Sequence, residues 1–204
     1  MYAMLLCKDG NGGLVMNKIF EKRKYHHFET SRLILDKLSN SDEKLIYNLY
    51  SDSKVMKFMQ SKIMKNKKEA VKYINKMNKM FKSKKGIRWA VSLKKSKTKQ
   101  KIGTFAIHYY DSKSKKAELG ADLLVSYWNK GYVSELVSFF ILNIFKNIDL
   151  NRIEIRCMPE NKASMHIANK FGFKYEGTLR EFVYIKGKGY TDEMVFSLLQ
   201  KDLD

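Results

Sequence analysis

The feature that most constrains this chain is a change of periodicity halfway along it. From residue 117 to 125 the side chains alternate as in a strand. Ser126-Tyr127-Trp128-Asn129-Lys130-Gly131 interrupts, and from 131 to 145 the sequence is apolar apart from Ser134, Glu135, Ser138 and Asn143. A helix apolar on nearly every side has to be enclosed, and it is too short to cross a bilayer, so the strand before it must belong to a sheet that covers it. The tight turn between them aims several backbone N–H groups and the positive end of a helix dipole at one spot, with Lys130 adding a full charge. Phosphate is the natural guest of such a turn. It is neither a Gly-x-x-x-x-Gly-Lys loop nor a Gly-x-Gly-x-x-Gly dinucleotide turn, and by itself it reads equally as a plain strand–helix connection.

The rest of the pattern supplies the sheet. Residues 32–35 form a first apolar run. After Asn40-Ser41-Asp42, a helix cap, Leu45, Ile46, Leu49 and Tyr50 line one helical face. Ala70, Val71, Ile74, Met77 and Phe81 predict an amphipathic helix over 67–81 with lysines on its wet side. Residues 89–93 and 102–107 read as a hairpin across a lysine-rich turn, 152–157 as a half-buried strand, and 161–171 as a short helix stopped at Gly172. Residues 182–185 and 194–199 close the chain as strands. The order is α+β in a single domain over 16–204, with 1–15 expected to be a disordered or non-native leader. The two glycine codons at Gly12-Gly13 can read as a ribosome-binding sequence ahead of Met16, which makes Met16 the expected start as readily as Met1.

Charge sets limits on partners. The formal net charge is +19, and residues 62–101 carry 16 Lys+Arg against Glu69 as the single acid. A cluster of this kind attracts nucleic acid, an anionic surface or an acidic partner, but 34 of the 40 basic residues are Lys, as in a chain drifting under a codon bias. The two cysteines, Cys7 and Cys157, make no disulfide framework and no metal spacing. No metal and no membrane span are expected, and a reducing cytoplasm is the expected setting.

A second polar segment follows the half-buried strand: Pro159, the only proline, then Asn161, a helix cap whose side chain equally suits a ligand amide, and Ser164. In sequence order, Thr30-Ser31-Arg32-Leu33-Ile34-Leu35, Ile102-Gly103, Ala117-Glu118-Leu119-Gly120, Tyr127-Trp128-Asn129-Lys130-Gly131-Tyr132, Asn151-Arg152-Ile153-Glu154, Asn161 with Ser164, Phe171-Gly172-Phe173, Glu176-Gly177-Thr178-Leu179-Arg180 and Gly189-Tyr190-Thr191-Asp192 resemble the GNAT superfamily of acetyl-CoA-dependent N-acetyltransferases. The branch they are closest to includes the ribosomal-protein N-terminal (alanine/serine) acetyltransferases, and the resemblance runs over about residues 28–203.

That resemblance implies a mixed, mostly antiparallel twisted sheet, flanked by helices and splayed at the acetyl-CoA site. It implies that N–H groups of Asn129, Lys130, Gly131, Tyr132, Val133 and Ser134 cradle the CoA phosphates. Leu123, Leu124 and Val125 would offer a strand edge, held open by a bulge, to the pantetheine arm; Asn161 would bond the pantetheine or thioester side with Ser164 beside it. Two departures stand out. Asn129 and Val133 replace the family's usual small residues, and the tyrosine that many members use to protonate the leaving thiolate falls at Ala168, which passes that role to Ser164 or a water.

The base is argued from alternation. Glu118, Gly120 and Asp122 share one strand face, and a carboxylate there can take the ammonium proton. Glu118 is the candidate, with a structural carboxylate or a recognition group for the ammonium as its other readings; Asp122, His108 and Tyr109 stand in reserve. Cys157 reads as a small core residue and His166 as packing or surface. The acceptor is expected to be a protein N-terminal α-amine, from a ribosomal or acidic protein; a small amine (antibiotic, amino-acid derivative or polyamine) is the alternative, and a non-catalytic basic module binding RNA or another anion is the reading from a different class. No nucleic-acid partner is expected except through the ribosome.

Overall fold

The computed structural model describes residues 27–203 except 97, 148, 149, 186 and 188; the leader 1–15 and the start at Met16 lie outside the described residues. The first elements are β1 (Phe28–Glu29), β2 (Leu33–Lys37), α1 (Glu43–Ser51), α2 (Ser53–Met56), α3 (Lys67–Lys82), β3 (Ile87–Leu93) and β4 (Lys101–Asp111). They are followed by β5 (Lys116–Leu123), α4 (Tyr132–Asn147), β6 (Arg152–Cys157), α5 (Lys162–Lys170), β7 (Lys174–Ile185) and β8 (Gly189–Leu199).

Local chemistry starts the helices. Asp52 Oδ1 accepts the Lys54 N–H at 2.8 Å to open α2. Asn66 Oδ1 accepts the Glu69 N–H at 3.1 Å, while the Glu69 carboxylate reaches back to the Lys65 N–H at 3.0 Å, a reciprocal cap on α3. The apolar faces fall where periodicity puts them: Leu45, Ile46, Leu49 and Tyr50 of α1 and Ala70, Ile74, Met77 and Phe81 of α3 are buried.

All eight strands form one sheet, in the order β1-β2-β3-β4-β5-β6-β8-β7. Every neighbouring pair is antiparallel except β5 and β6. A parallel pair needs a crossover, and α4 supplies it. On one face Leu33, Leu35, Trp89, Phe105 and Leu119 meet Leu136 and Phe140 of α4, with the Phe105 and Phe140 rings stacked at 4.5 Å. Each of these side chains contributes about 1.5–3 kcal/mol by leaving water. On the other face α1 and α3 make a second core, Ile46, Leu49, Ala70, Ile74 and Met77 around Ala90.

Four details differ from the sequence expectations. A two-residue strand, β1, precedes the first expected one and pairs with it; two residues carry no readable alternation. The last two strands begin at Lys174 and Gly189, earlier than expected, because most of β7 is exposed at the sheet edge and its pairing with β8 shifts register twice, which breaks up its alternation. The strand expected to run to Val125 stops at Leu123: the Leu124 N–H turns to Ile102 O at 2.9 Å, and Val125–Tyr127 forms a 3-10 turn. The Trp128 indole N–H, 2.7 Å from Leu123 O, holds that turn against the strand end. Finally, the opening beside this strand comes from divergence rather than a bulge. β5 and β6 are paired only at Lys116↔Arg152, Ala117↔Ile153 and Glu118↔Glu154; beyond them β5 stays with β4 and β6 with β8.

Candidate active site

The site is built around that parting of strands. From Leu119 to Leu123, β5 is paired on its β4 side alone, so backbone groups on its other edge face a widening cleft. On the paired side, Gly103 brings β4 close against the end of β5: a Cβ there would sit 2.2 Å from Asp122 O and 2.9 Å from Leu123 Cα, both backbone.

At the end of the edge lies the expected phosphate turn. Asn129 and Gly131 both have left-handed backbones, φ 58° and 74°, which curls the chain so that α4 begins at Tyr132 with its first N–H groups outside the helix's own ladder. Asn and Gly are the residue types that tolerate this conformation best. Lys130 Nζ sits over the Tyr127 ring, 5.3 Å from its centroid, and Lys170 Nζ donates to Ser134 Oγ at 3.3 Å. Two more residues hold the turn. Arg32, just before β2, donates from Nε to Glu135 Oε2 at 2.5 Å and from Nη1 to Lys130 O at 3.0 Å, and its guanidinium lies 4.6 Å from the Tyr132 ring centroid. Glu135 also accepts from the Thr30 and Ser31 hydroxyls and the Arg32 N–H. These bonds hold its carboxyl below the usual range in spite of partial burial. Arg32 and Glu135 are a clamp that spacing alone does not reveal, since they are about a hundred residues apart.

Glu118 stands at the last paired position before the cleft, its side chain mostly buried. Burial pushes its carboxyl up to about 7; Arg156 opposes this, and Glu193 and Glu154 reinforce it. Arg156 Nε is 3.8 Å from Glu118 Oε2, and the same guanidinium reaches Glu154 at 2.9 Å and Glu193 at 3.3 Å. Gln60, from the segment between α2 and α3, donates to Glu193 at 2.6 Å. Three carboxylates thus share one arginine on the face of the sheet that α1 and α3 flank. Alternation in β6 signals Arg156 and Glu154, but nothing local links Glu193 to them.

Asp122, the first reserve for the base, is committed elsewhere. Its Oδ2 accepts from Arg88 Nη1 at 2.5 Å and Tyr50 OH at 2.8 Å. Arg88, itself buried, also reaches Thr104 Oγ1 at 2.6 Å and His108 Nε2 at 2.8 Å, and Tyr73 OH lies 3.0 Å from Tyr50 OH. Burial and the Arg88 charge hold His108 down at about 3, so the imidazole is neutral and takes the arginine proton donor at Nε2. His108 fills the space over Gly120, where a Cβ would be 2.8 Å from Nε2. Tyr109 is exposed in a left-handed conformation near the end of β4, where the pairing with β5 shifts register.

Asn161 caps α5, its Oδ1 accepting the Ser164 N–H at 3.2 Å; Ser164 is half-buried on the first turn. Ala168 is fully buried, so this helix offers no phenol at the expected position. Cys157 is buried in the core and its thiol is pushed up to about 11, by burial first and then by Glu193. Among the described residues no group of His, Cys, Asp and Glu is arranged to hold a metal ion, and no helix is long and apolar enough to cross a membrane.

A parting parallel strand pair beside an N–H-rich turn is an architecture shared with known enzymes. The family described as Acetyltransferase (GNAT) domain matches residues 32–174. The chain is 31% identical over 172 residues to the uncharacterized N-acetyltransferase YoaA of Bacillus subtilis, covering 84% of this chain and 96% of that one. It is 32% identical over 173 residues to the uncharacterized N-acetyltransferase p20 of Bacillus licheniformis, with 85% and 96% covered. Among solved structures, a GNAT-family acetyltransferase from Bacillus anthracis superimposes with a TM-score of 0.74 at 25% identity, over 86% of this chain and 99% of that one. At the level of fold alone, the ribosomal L7/L12 α-N-protein acetyltransferase RimL solved with coenzyme A superimposes at 0.76 (17% identity, 88% and 100% covered). The microcin C7 self-immunity acetyltransferase MccE, solved with acetyl-CoA and AMP, gives 0.74 (21% identity, 83% and 93% covered). The chain belongs to the GNAT family and is an acetyl-CoA-dependent N-acetyltransferase.

Proposed function

We propose that this enzyme acetylates the N-terminal α-amine of a polypeptide, with Glu118 as the general base. The observation that carries the reading is the position and acidity of Glu118: a mostly buried carboxyl at the mouth of the β5–β6 cleft, poised at about 7. A base of that strength suits an α-ammonium, whose ordinary pKa is about 7.7–8.0, far better than an alkyl ammonium near about 10.4. In this reading the CoA phosphates rest on N–H groups from Asn129 to Ser134, including Lys130, Gly131, Tyr132 and Val133, with Lys130 supplying charge. The pantetheine arm pairs with the open edge of β5 ending at Leu123, Leu124 and Val125 continue the wall, and Asn161 offers its amide N–H. Glu118 takes the ammonium proton; the freed amine attacks the thioester carbonyl; the C–S bond breaks, the thiolate takes a proton from Ser164 or a water, and that donor is reprotonated by the second proton the nitrogen loses as the amide forms. The fold neighbour RimL, which acts on a ribosomal protein by its own description, supports a protein acceptor, while MccE keeps the small-molecule alternative in the test.

The test is a thiol-release assay with acetyl-CoA against short peptides with free α-amines, N-blocked lysine peptides, aminoglycosides, amino-acid derivatives and polyamines, run from pH 6 to 9. The expected result is turnover of free-α-amine peptides, abolished when the α-amine is blocked. Turnover confined to small amines would overturn the acceptor assignment.

A further inference from the structure

The strongly basic segment of the sequence folds into one geometric object. Along α3, Lys68, Lys72, Lys76, Lys79 and Lys82 fall within an arc of about 120°, at 100° per residue, opposite the buried Ala70, Ile74, Met77 and Phe81. All five are exposed, and none forms an ion pair among the described residues; the neighbouring Lys67 differs, lying 3.5 Å from Glu43. The stripe is about 21 Å long at 1.5 Å per residue. Only Lys79 and Lys82, in the last turn, favour the dipole of the helix that carries the stripe; otherwise lysines three and four apart repel one another.

The helix that carries the stripe reaches β5, the strand that edges the cleft, through its inner side, with the lysines on its outer side. Between its lysines, Tyr73 turns inward to Tyr50, whose hydroxyl donates to Asp122, two residues along β5 from Gly120 and on the same strand face as Glu118. At the mouth of the cleft Glu118, Glu154 and Glu193 surround Arg156, and Glu154 is also held by Arg152 at 2.7 Å. Charge is therefore divided in space, with carboxylates where the amine must arrive and lysines on the outer face of a helix packed on the same side of the sheet. That division fits an acceptor that is cationic at its end and anionic behind it.

We infer that the lysine face of α3 is the docking surface for an acidic segment of the acceptor polypeptide, downstream of the amino group being acetylated. This deepens the proposed function and rests on it. An acidic polypeptide fits better than a nucleic acid, because the large exposed aromatic side chains, Tyr109, Trp128, Tyr175, Phe182, Tyr184 and Tyr190, all lie outside α3, leaving no stacking platform among the lysines.

The experiment uses the full chain and three peptides that share their first three residues and continue with nine neutral, glutamate-rich or lysine-rich residues. At about 20 mM salt the acidic peptide is expected to exceed the neutral one by about 10-fold in kcat/KM, an advantage that collapses toward unity at about 500 mM. Lys72→Glu/Lys76→Glu/Lys79→Glu should abolish the preference, or turn it toward the basic peptide, and leave turnover of the neutral peptide unchanged. The glutamine versions should give an intermediate loss, and Lys113→Glu/Lys201→Glu should keep the wild-type preference. Equal turnover of acidic and neutral peptides by the wild type, or a preference that survives the triple reversal, overturns the docking surface while leaving a peptide acceptor standing. Refusal of all three peptides with acceptance of small amines overturns the underlying reading and this one with it. A uridine 20-mer that binds the wild type more tightly than the acidic peptide, loses binding in the triple variant and blocks acetylation overturns it in favour of a nucleic-acid surface.

Discussion

The Arg156 guanidinium lies 3.8 Å from the Glu118 carboxylate at the position where β5 and β6 cease to pair. The arginine is shared with Glu154 and Glu193, so its charge only partly compensates the burial of Glu118. The result is a carboxyl that changes protonation in the neutral range, held where a parallel ladder opens into a cleft.

Activity should follow that protonation. With Glu118 at about 7, kcat/KM should rise with pH and level off above about 8. Glu118→Gln should lower kcat by about 10²–10⁴-fold and remove the limb. The same substitution reads out stability. A carboxyl raised in the folded state favours folding fully below its ordinary value of 4.5 and loses that contribution as pH rises through about 7. At pH 8 the glutamine variant should therefore be more stable than wild type, by on the order of 1–3 kcal/mol, with little difference at pH 5; urea unfolding at the two pH values checks it.

Arg156→Ala should move the acid limb to higher pH by roughly one unit, because the one cation favouring ionised Glu118 is gone. Arg156→Lys should restore most of the limb's position. A merely structural role would lower activity and leave the profile's midpoint where it was.

Arg32→Ala should raise KM for acetyl-CoA by about 10-fold with a smaller effect on kcat, since Arg32 shapes the phosphate turn through Lys130 O and Glu135. Half of the Arg32 side chain is exposed, so the stability cost should stay near about 1 kcal/mol. Isothermal titration with CoA separates this from a loss of fold. The Glu135 carboxyl is depressed, so its contribution is present above about pH 4.5 and lost as pH falls below that value.

Arg88→Met should destabilise the fold by about 3–5 kcal/mol, because it leaves Asp122 charged and enclosed without its partner. Adding Asp122→Asn should recover part of the loss. Chemical denaturation of the single and double variants measures the coupling.

Cys157→Ala should retain turnover within about twofold, and iodoacetamide should not inactivate the wild type. A thiol pushed up to about 11 in the core is neither nucleophilic at neutral pH nor accessible, which leaves direct transfer from acetyl-CoA to the amine.

Reading the sequence recovered the parts governed by neighbours in the chain. The enclosed character of α4, the wet and dry sides of α1 and α3, the turn at Asn129 and Gly131, and the cap at Asn161 all follow from side-chain periodicity and from residues that tolerate particular backbone angles. Family resemblance added the expectation that these parts form a CoA site. Edge strands fared worse: β7 is exposed along most of its length and shifts register twice against β8, so its apolar residues mark a strand only near 182–185.

What lay beyond the sequence depends on pairings between distant segments. That Glu118 sits at the last rung before β5 and β6 diverge, that Arg156 serves Glu154 of its own strand together with Glu118 and Glu193 of two others, and that Arg32 closes on Glu135 across about a hundred residues are consequences of strand order. So is the acidity of Glu118, since burial and neighbouring charge exist only once the sheet has assembled. The +15 of residues 62–101 was visible from composition alone; its meaning changed when α3 folded. Five lysines that looked like diffuse charge became one face, because a helix with Ala70, Ile74, Met77 and Phe81 against the sheet has a single side left for them.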